Sequence, residues 1–313
     1  MKIMFMGTPD ISAICLKKLI DNGENIVGVV TGKDKPKGRG YVMTPSPVKV
    51  IAESRGIPVY QPETLKRENF EEQLNKINPD IIIVVAYGKI LPEYVIHYPK
   101  YGCINVHVSL LPKYRGAAPM QRAIINGDKY TGVTIMYMDE GLDTGDIIIS
   151  EKFEIHDTDN FETVHDKSAE IGGRLLCKVL LMIENGNAPR EKQSEGFSYA
   201  AKITKEDCKI DFNKTTREID CLIRGLSPIP LAYTNTPDGK MLKIVSARPT
   251  MGKGTPGEVI EADGRDSGNG IVVATKDGAV SLLTIVPEGK GKMSAADFVR
   301  GRKINKGDIL GCI

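Results

Sequence analysis

Residues 2–30 read KIMFMGTPDISAICLKKLIDNGENIVGVV. Lys2–Met6 is a short, mostly apolar run of the kind a covered strand requires. From Asp10 to Ile20 the side chains of Ile11, Ile14, Cys15 and Leu19 recur at helical spacing. Asn22-Gly23 supplies a turn and a helix stop, and Ile26–Val30 is a second apolar run. A strand, a helix and a strand in such quick succession predict a parallel β-α-β unit. The pattern continues outward. Ser46-Pro47 opens a further helix, with an N-cap residue followed by Pro in the first turn. Ile81–Val85, Ile104–Val108 and Val133–Met138 are three more strand-like runs. Phe161–Ile183 carries a helical stripe of Ile171, Leu175, Val179 and Ile183, widened by Leu176 and Leu180. Residues 1–188 are therefore expected to form an α/β domain on a Rossmann-like parallel sheet.

The character of the chain then changes. Residues 189–205 are polar, contain Pro189 and read as a linker. From 206 to 313, turn signals such as Pro237-Asp238-Gly239, Asp263-Gly264, Gly268-Asn269-Gly270 and Asp277-Gly278 separate short β-rich runs (Leu242–Val245, Ile271–Ala274, Val280–Ile285). That predicts a second domain, a small β-barrel or sandwich. The length, 313 residues, suits two domains.

Composition excludes several classes. The formal net charge is only +2, with 41% hydrophobic and 26% charged residues, so the chain is no basic disordered tail, although a local patch could still hold RNA. The apolar run at the start is too short for a signal peptide, and no stretch has the length of a membrane span; the cytoplasm is the expected compartment. Cys15, Cys103, Cys177, Cys208, Cys221 and Cys312 are scattered, without C-x-x-C pairs or zinc-ligand spacing, and are expected to be reduced and mostly buried. No metal is expected. The first strand runs into Gly7-Thr8-Pro9-Asp10, where a dinucleotide-binding G-x-G-x-x-G would sit and does not. Gly28–Lys33, GVVTGK, has the wrong spacing for a P-loop.

The chemistry concentrates in Gly102–Pro119, GCINVHVSLLPKYRGAAP. Asn105 and His107 are two apart at the end of a predicted strand, so they share a face. A second segment, Gly141-Leu142-Asp143-Thr144-Gly145-Asp146, is a glycine-bounded loop carrying two carboxylates. In open α/β sheets ligands bind beyond the carboxyl ends of the strands, where Asn105, His107 and Asp143 could meet. These residue types suit acyl transfer to an amine. Asn105 can donate a hydrogen bond to a developing oxyanion, His107 can stabilise it or move a proton, and Asp143 can orient His107 and balance its charge. The attacking amine is supplied by the substrate. His97, His156 and His165 are expected in structural or solvent roles.

Across nearly its whole length the sequence resembles the methionyl-tRNA formyltransferase family of folate-dependent formyltransferases. The resemblance rests on Met6–Asp10, Lys37-Gly38-Arg39-Gly40, Thr44–Lys49, Val85–Gly88 with Ile90-Leu91-Pro92, Asn105–Pro119, Gly132–Met136, Gly141–Asp146, and Gly291–Ser294 with Phe298. It implies that Asn105, His107 and Asp143 are the catalytic trio and that 10-formyltetrahydrofolate is the donor. Ser109, Leu110, Leu111 and Pro112 correspond to the folate-binding stretch, and the pterin is expected near Ile90, Leu91, Asp139, Glu140 and Leu142. The acceptor implied is the α-amino group of methionyl initiator tRNA. The C-terminal domain is implied to be an OB-like barrel that helps hold the tRNA. Lys33, Lys35, Lys37 and Arg39 cluster in a Gly- and Pro-rich loop before Tyr41, a set that can grip phosphates; the resemblance implies that this loop meets the acceptor stem and that Arg39 is its functional arginine. The same superfamily includes enzymes acting on an amino sugar nucleotide or a small ribonucleotide amine, which the Asn-x-His and Leu-Asp-x-Gly motifs alone would also fit. Val108 stands where the family usually carries Gly; if that Gly needs positive φ, Val is strained. Tyr114 stands where Trp is common.

Overall fold

The computed structural model describes residues 1–37, 41–265, 270–301 and 303–311, without the side chain of Lys37. Arg39, Gly268-Asn269, Arg302 and Cys312 lie outside the described residues. The chain forms two compact units: Met1–Pro119 with Thr131–Phe153 and His165–Ala200, and Met120–Tyr130 with Glu154–Val164 and Ala201–Ile313.

The first unit opens with β1 (Ile3–Gly7), α1 (Asp10–Asp21) and β2 (Ile26–Val30). A short hairpin follows, β3 (Lys35–Lys37) and β4 (Val42–Thr44), then α2 (Pro47–Ser54), β5 (Val59–Tyr60) and α3 (Arg67–Ile77). Next come β6 (Ile81–Val85), α4 (Glu93–Ile96), β7 (Cys103–His107) and α5 (Pro119–Ile125). After α5 the chain returns through β8 (Tyr130–Tyr137), β9 (Ile147–Glu154) and α6 (Phe161–Glu184). The sheet order is β5-β2-β1-β6-β7-β8-β9. The strands from β5 to β7 pair in parallel, with β1 in the centre between β2 and β6. All five residues of β1 and of β6 are buried, as continuous apolar runs demand of strands covered on both faces.

β8 departs from the expected parallel pairing: it runs antiparallel to β7, with Ile104 opposite Tyr137 and His107 opposite Thr134. An apolar run reads the same in either direction. The path of residues 108–129, which turns the chain back beside the strand it left, decides the direction.

Glycine makes one close approach possible here. A Cβ on Gly7 would lie 2.6 Å from Ser12 Cβ and 2.8 Å from the Val85 carbonyl oxygen. The first turn of α1 can thus press on the sheet, where the Ser12 hydroxyl donates to that carbonyl at 2.5 Å. Ser46 caps α2, accepting from the Lys49 amide at 3.1 Å ahead of Pro47.

The stretch expected to be a linker carries ordered pairings between 191 and 200. Glu191 bridges Ile147, and Tyr199 bridges Arg115. The Arg115 amide donates to Ser198 at 2.8 Å, and the Ala200 amide to Arg115 at 2.7 Å.

In the second unit, α7 (Thr216–Leu226) precedes a six-stranded sheet. Its strands are β10 (Ala232–Asn235), β11 (Met241–Thr250), β12 (Val259–Ala262), β13 (Ile271–Ala274), β14 (Ala279–Pro287) and β15 (Met293–Ser294). They pair antiparallel in the order β10-β11-β14-β13-β12, with β15 on β14. α8 (Ala295–Arg300) closes the unit. Ile219, Ile223, Leu226, Leu242, Ile244, Val273, Leu282 and Ile285 are among the residues of its core. Cys15, Cys103, Cys208 and Cys221 are buried free thiols and Cys177 is a partly buried one; burial pushes Cys15 up to about 12.

Candidate active site

β7 ends beside β6 at the carboxyl edge of the parallel strands and delivers His107, which is 5% exposed. Its Nε2 lies 2.9 Å from the Tyr114 carbonyl oxygen. A carbonyl only accepts, so Nε2 carries the hydrogen and Nδ1 is left to face the other way. There Nδ1 stands 3.5 Å from Asp143 Oδ2, which also accepts the Gly116 amide at 2.8 Å. The turn from 109 to 116 therefore contributes two backbone groups, one to the imidazole and one to the carboxylate. Asn105 projects from the same face of β7 as His107, half-buried, and its side chain has no hydrogen-bond partner among the described residues. The structure thus brings His107 and Asp143 together and places Asn105 on the same face of β7 as His107.

The backbone of the site is held in uncommon conformations. Tyr114 and Asp143 have φ of 62° and 53°. Val108 is not among the residues with positive φ, so its Cβ brings no left-handed strain at the position where the family usually has Gly. The turn is pinned to β8 by Thr134, whose hydroxyl donates to the Ser109 carbonyl at 2.7 Å and receives the Leu111 amide at 3.3 Å.

Gln193 meets the 143–145 loop from the other side. Its amide nitrogen donates to the carbonyls of Asp143 at 2.8 Å and Gly145 at 2.9 Å, and its oxygen accepts from Arg115 Nε and Nη2 at 3.1 and 2.7 Å. Neither Gln193 nor the Tyr114 carbonyl stands out in the sequence. A polar side chain in a polar stretch gives no periodic signal, and a backbone carbonyl has none to give.

The residues expected at a folate site divide. Ser109 is buried, its hydroxyl donating to the Lys113 carbonyl at 2.6 Å. Leu110 lies against β8, so close that a Cβ on Gly132 would collide with it. Leu111 is buried, Pro112 half-buried, and Leu91 packs in the core beside Val95 and Ile96. Ile90 and Leu142, by contrast, are 93% and 60% exposed. Asp139 accepts the Gly141 amide at 3.1 Å and the Thr144 hydroxyl at 2.6 Å, which shapes the loop before Asp143. Glu140 pairs with His97 at 2.7 Å, joining the segment after β6 to this loop; the hydrogen bond from His97 holds the Glu140 carboxyl below its usual range.

Of the basic residues expected to grip RNA, Lys35 is exposed on β3, and only the backbone of Lys37 is described. The loop forms a hairpin, Lys35 opposite Thr44 and Lys37 opposite Val42, that exposes Tyr41, Val42 and Met43. Its base is tied by Asp34, which receives Lys49 Nζ and Gln61 Nε2, each at 2.8 Å; the Lys49 bond is the main reason the Asp34 carboxyl lies below its ordinary value.

A family profile described as formyl transferase matches residues 1–180, and one described as the formyl transferase C-terminal domain matches residues 202–303. The methionyl-tRNA formyltransferase of Clostridioides difficile (strain 630) is 47% identical over 316 residues, covering 99% of this chain and 100% of that protein. Its counterpart from Macrococcus caseolyticus (strain JCSC5402) is 47% identical over 303 residues, covering 96% of each chain. Among solved structures, HypX from Aquifex aeolicus in complex with tetrahydrofolic acid has a TM-score of 0.66 at 19% identity, covering 96% of this chain and 47% of that one. An N-formyltransferase from Helicobacter canadensis, solved with folinic acid and dTDP-3-aminofucose, has a TM-score of 0.64 at 22% identity, covering 90% and 99%. At such identities these two show the shared fold alone. Matching both family profiles in order, and aligning end to end with relatives of one kind, the chain belongs to the formyl transferase family, among the methionyl-tRNA formyltransferases.

Proposed function

We propose that this protein transfers a formyl group from 10-formyltetrahydrofolate to the α-amino group of methionine carried on initiator tRNA, in the cytoplasm. The observation that carries the reading is the set of His107, Asp143 and the Gly116 amide, beside an uncommitted Asn105 at the carboxyl edge of the sheet. Residues 1–188 act as the catalytic domain and 206–313 as the tRNA-holding domain, with 189–205 between them.

The residues suit a folate donor. Exposed Ile90 and Leu142 offer apolar surface to a flat pterin on two segments that the His97–Glu140 pair joins. With Leu91, Asp139, Glu140 and Ser109–Pro112 they would hold it, largely through backbone groups. The donor supplies a formyl carbon bonded to nitrogen. An α-amino group, with its ordinary pKa of about 7.7–8, is partly neutral at physiological pH and attacks without a side-chain nucleophile. Its nitrogen bonds to the formyl carbon, the bond to the donor nitrogen breaks, and the proton lost by the amine replaces the formyl group there. Asn105 donates to the oxygen on which negative charge develops. His107 keeps its Nε2 hydrogen on the Tyr114 carbonyl, so Nδ1 is the nitrogen that takes and returns a proton. Asp143, held by the Gly116 amide, balances the imidazolium so formed.

The choice of tRNA over an amino sugar nucleotide or small ribonucleotide amine is supported by relatives along the whole chain. Lys35, Lys37 and Arg39 grip phosphates of the acceptor stem. The test is single-turnover transfer of labelled formyl from 10-formyltetrahydrofolate to methionyl initiator tRNA. Label on the methionine amine, and none on uncharged tRNA, is the expected result. Transfer to an amino sugar nucleotide instead would overturn the acceptor, and no transfer to either would overturn the reaction.

A further inference from the structure

We propose that Gln193 is a positioning residue for the reaction, clamping the 143–145 loop so that Asp143 faces His107; the proposal rests on the function just given. The Gln193 amide is fully engaged. Its oxygen accepts two bonds from the Arg115 guanidinium, and both hydrogens of its nitrogen go to the carbonyls of Asp143 and Gly145. A guanidinium only donates and a carbonyl only accepts, so the amide has one possible orientation.

The contacts close a ring. Arg115 is 8% exposed and immediately precedes Gly116, whose amide grips Asp143 Oδ2 at 2.8 Å. Gln193 returns from the Arg115 side chain to the Asp143 backbone. Both ends of Asp143, its carbonyl and its carboxylate, are thereby referred to two consecutive residues. The segment that carries Gln193 is itself bonded to Arg115 through Ser198 and Ala200, and Phe197 lies 5.0 Å from the Arg115 guanidinium.

The loop needs such a clamp. Asp143 has φ of 53°, which a residue with a side chain keeps only where its surroundings over-determine it. On the opposite side the loop presses on β8, where a Cβ on Gly145 would collide with the Tyr137 carbonyl. Removing Gln193 strips the donors from two carbonyls and frees the loop to turn Asp143 away from His107. A misplacement of about 1 Å in a reacting group lowers turnover on the order of a hundredfold.

Two variants separate positioning from mere support of Arg115. Gln193→Ala removes both functions. Gln193→Glu keeps an acceptor for Arg115 but cannot donate to the two carbonyls. Glu195→Ala, exposed on the same segment, is the control. Each is measured for kcat and for KM of the folate donor, and by the NMR signal of the Gly116 amide, which reports the Asp143 carboxylate directly. Positioning predicts that kcat falls roughly tenfold to a hundredfold in both Gln193 variants, with KM little changed. It also predicts that the Gly116 proton moves upfield in both, as Asp143→Ala should make it do, while the amides of β1 stay in place. A wild-type kcat in Gln193→Glu, or a Gly116 signal unmoved in that variant, would overturn the proposal. Should the alanine variant fail to fold, Gln193→Glu decides alone. Absence of formyl transfer by the unaltered protein would overturn the function instead, and the Gly116 signal would still test the clamp.

Discussion

His107 ends strand β7 and Asp143 lies in the loop between β8 and β9; they meet at 3.5 Å, each held by a backbone group on one side of Arg115. If His107 moves the proton and Asp143 balances it, His107→Ala and Asp143→Asn each lower kcat at least about a hundredfold in single-turnover assays. Near-normal turnover by either would remove that residue from the mechanism. Gly132 makes a different prediction. A Cβ there would strike the Glu151 carbonyl and the Leu110 side chain, so Gly132→Ala overpacks β8 and costs about 1–3 kcal/mol in urea unfolding. Asn105, His107 and Asp143 were legible in the sequence because polar residues stood out at strand spacing and between glycines. Gln193 was not, because its importance lies in which carbonyls it meets, and those belong to residues remote in the chain.

Elements show the same division. α1, α2, β6 and α6 follow from periodicity and caps, which are local. α7 carries equally local signals: Thr215 and Glu218 form a capping box, and Ile219, Leu222, Ile223 and Leu226 trace a helical face. The β3–β4 hairpin leaves no strand pattern in its Gly- and Pro-rich segment, since its strands are three residues each. An ion pair ties α5 to the turn at Glu206–Cys208, Arg122 bonding Asp207 through both nitrogens at 3.1 Å. The Thr204 amide and then Arg122 hold the Asp207 carboxyl down at about 2. A carboxyl lowered on folding contributes stability above its unfolded value of about 3.9, and that contribution is lost as pH falls toward the folded value. Asp207→Asn should therefore cost about 1 kcal/mol at neutral pH after solvent screening. The gap to the unaltered protein should narrow below about pH 4 and close only below about pH 2, as followed by denaturant midpoints across that range.

At the scale of the whole molecule, a net charge of +2 means that any grip on RNA depends on where the cations sit. Lys35 is exposed on a hairpin whose base is tied through Asp34, Lys49 and Gln61. Lys35→Ala should weaken tRNA binding and reduce the slope of log affinity against log salt by about 1, while leaving folate binding unchanged. An unchanged slope would take Lys35 out of the phosphate contacts. The α/β character of the first half, the β-rich character of the second and the residue types of the candidate site are set locally, because strand and helix periods and motif spacings act over a few residues. The antiparallel turn of β8, the hydrogen held on His107 Nε2 and the bond from Gln193 to Asp143 arise on folding. Each of these depends on segments far apart in the chain arriving within hydrogen-bonding distance, and the path that brings them there leaves no local pattern in the sequence.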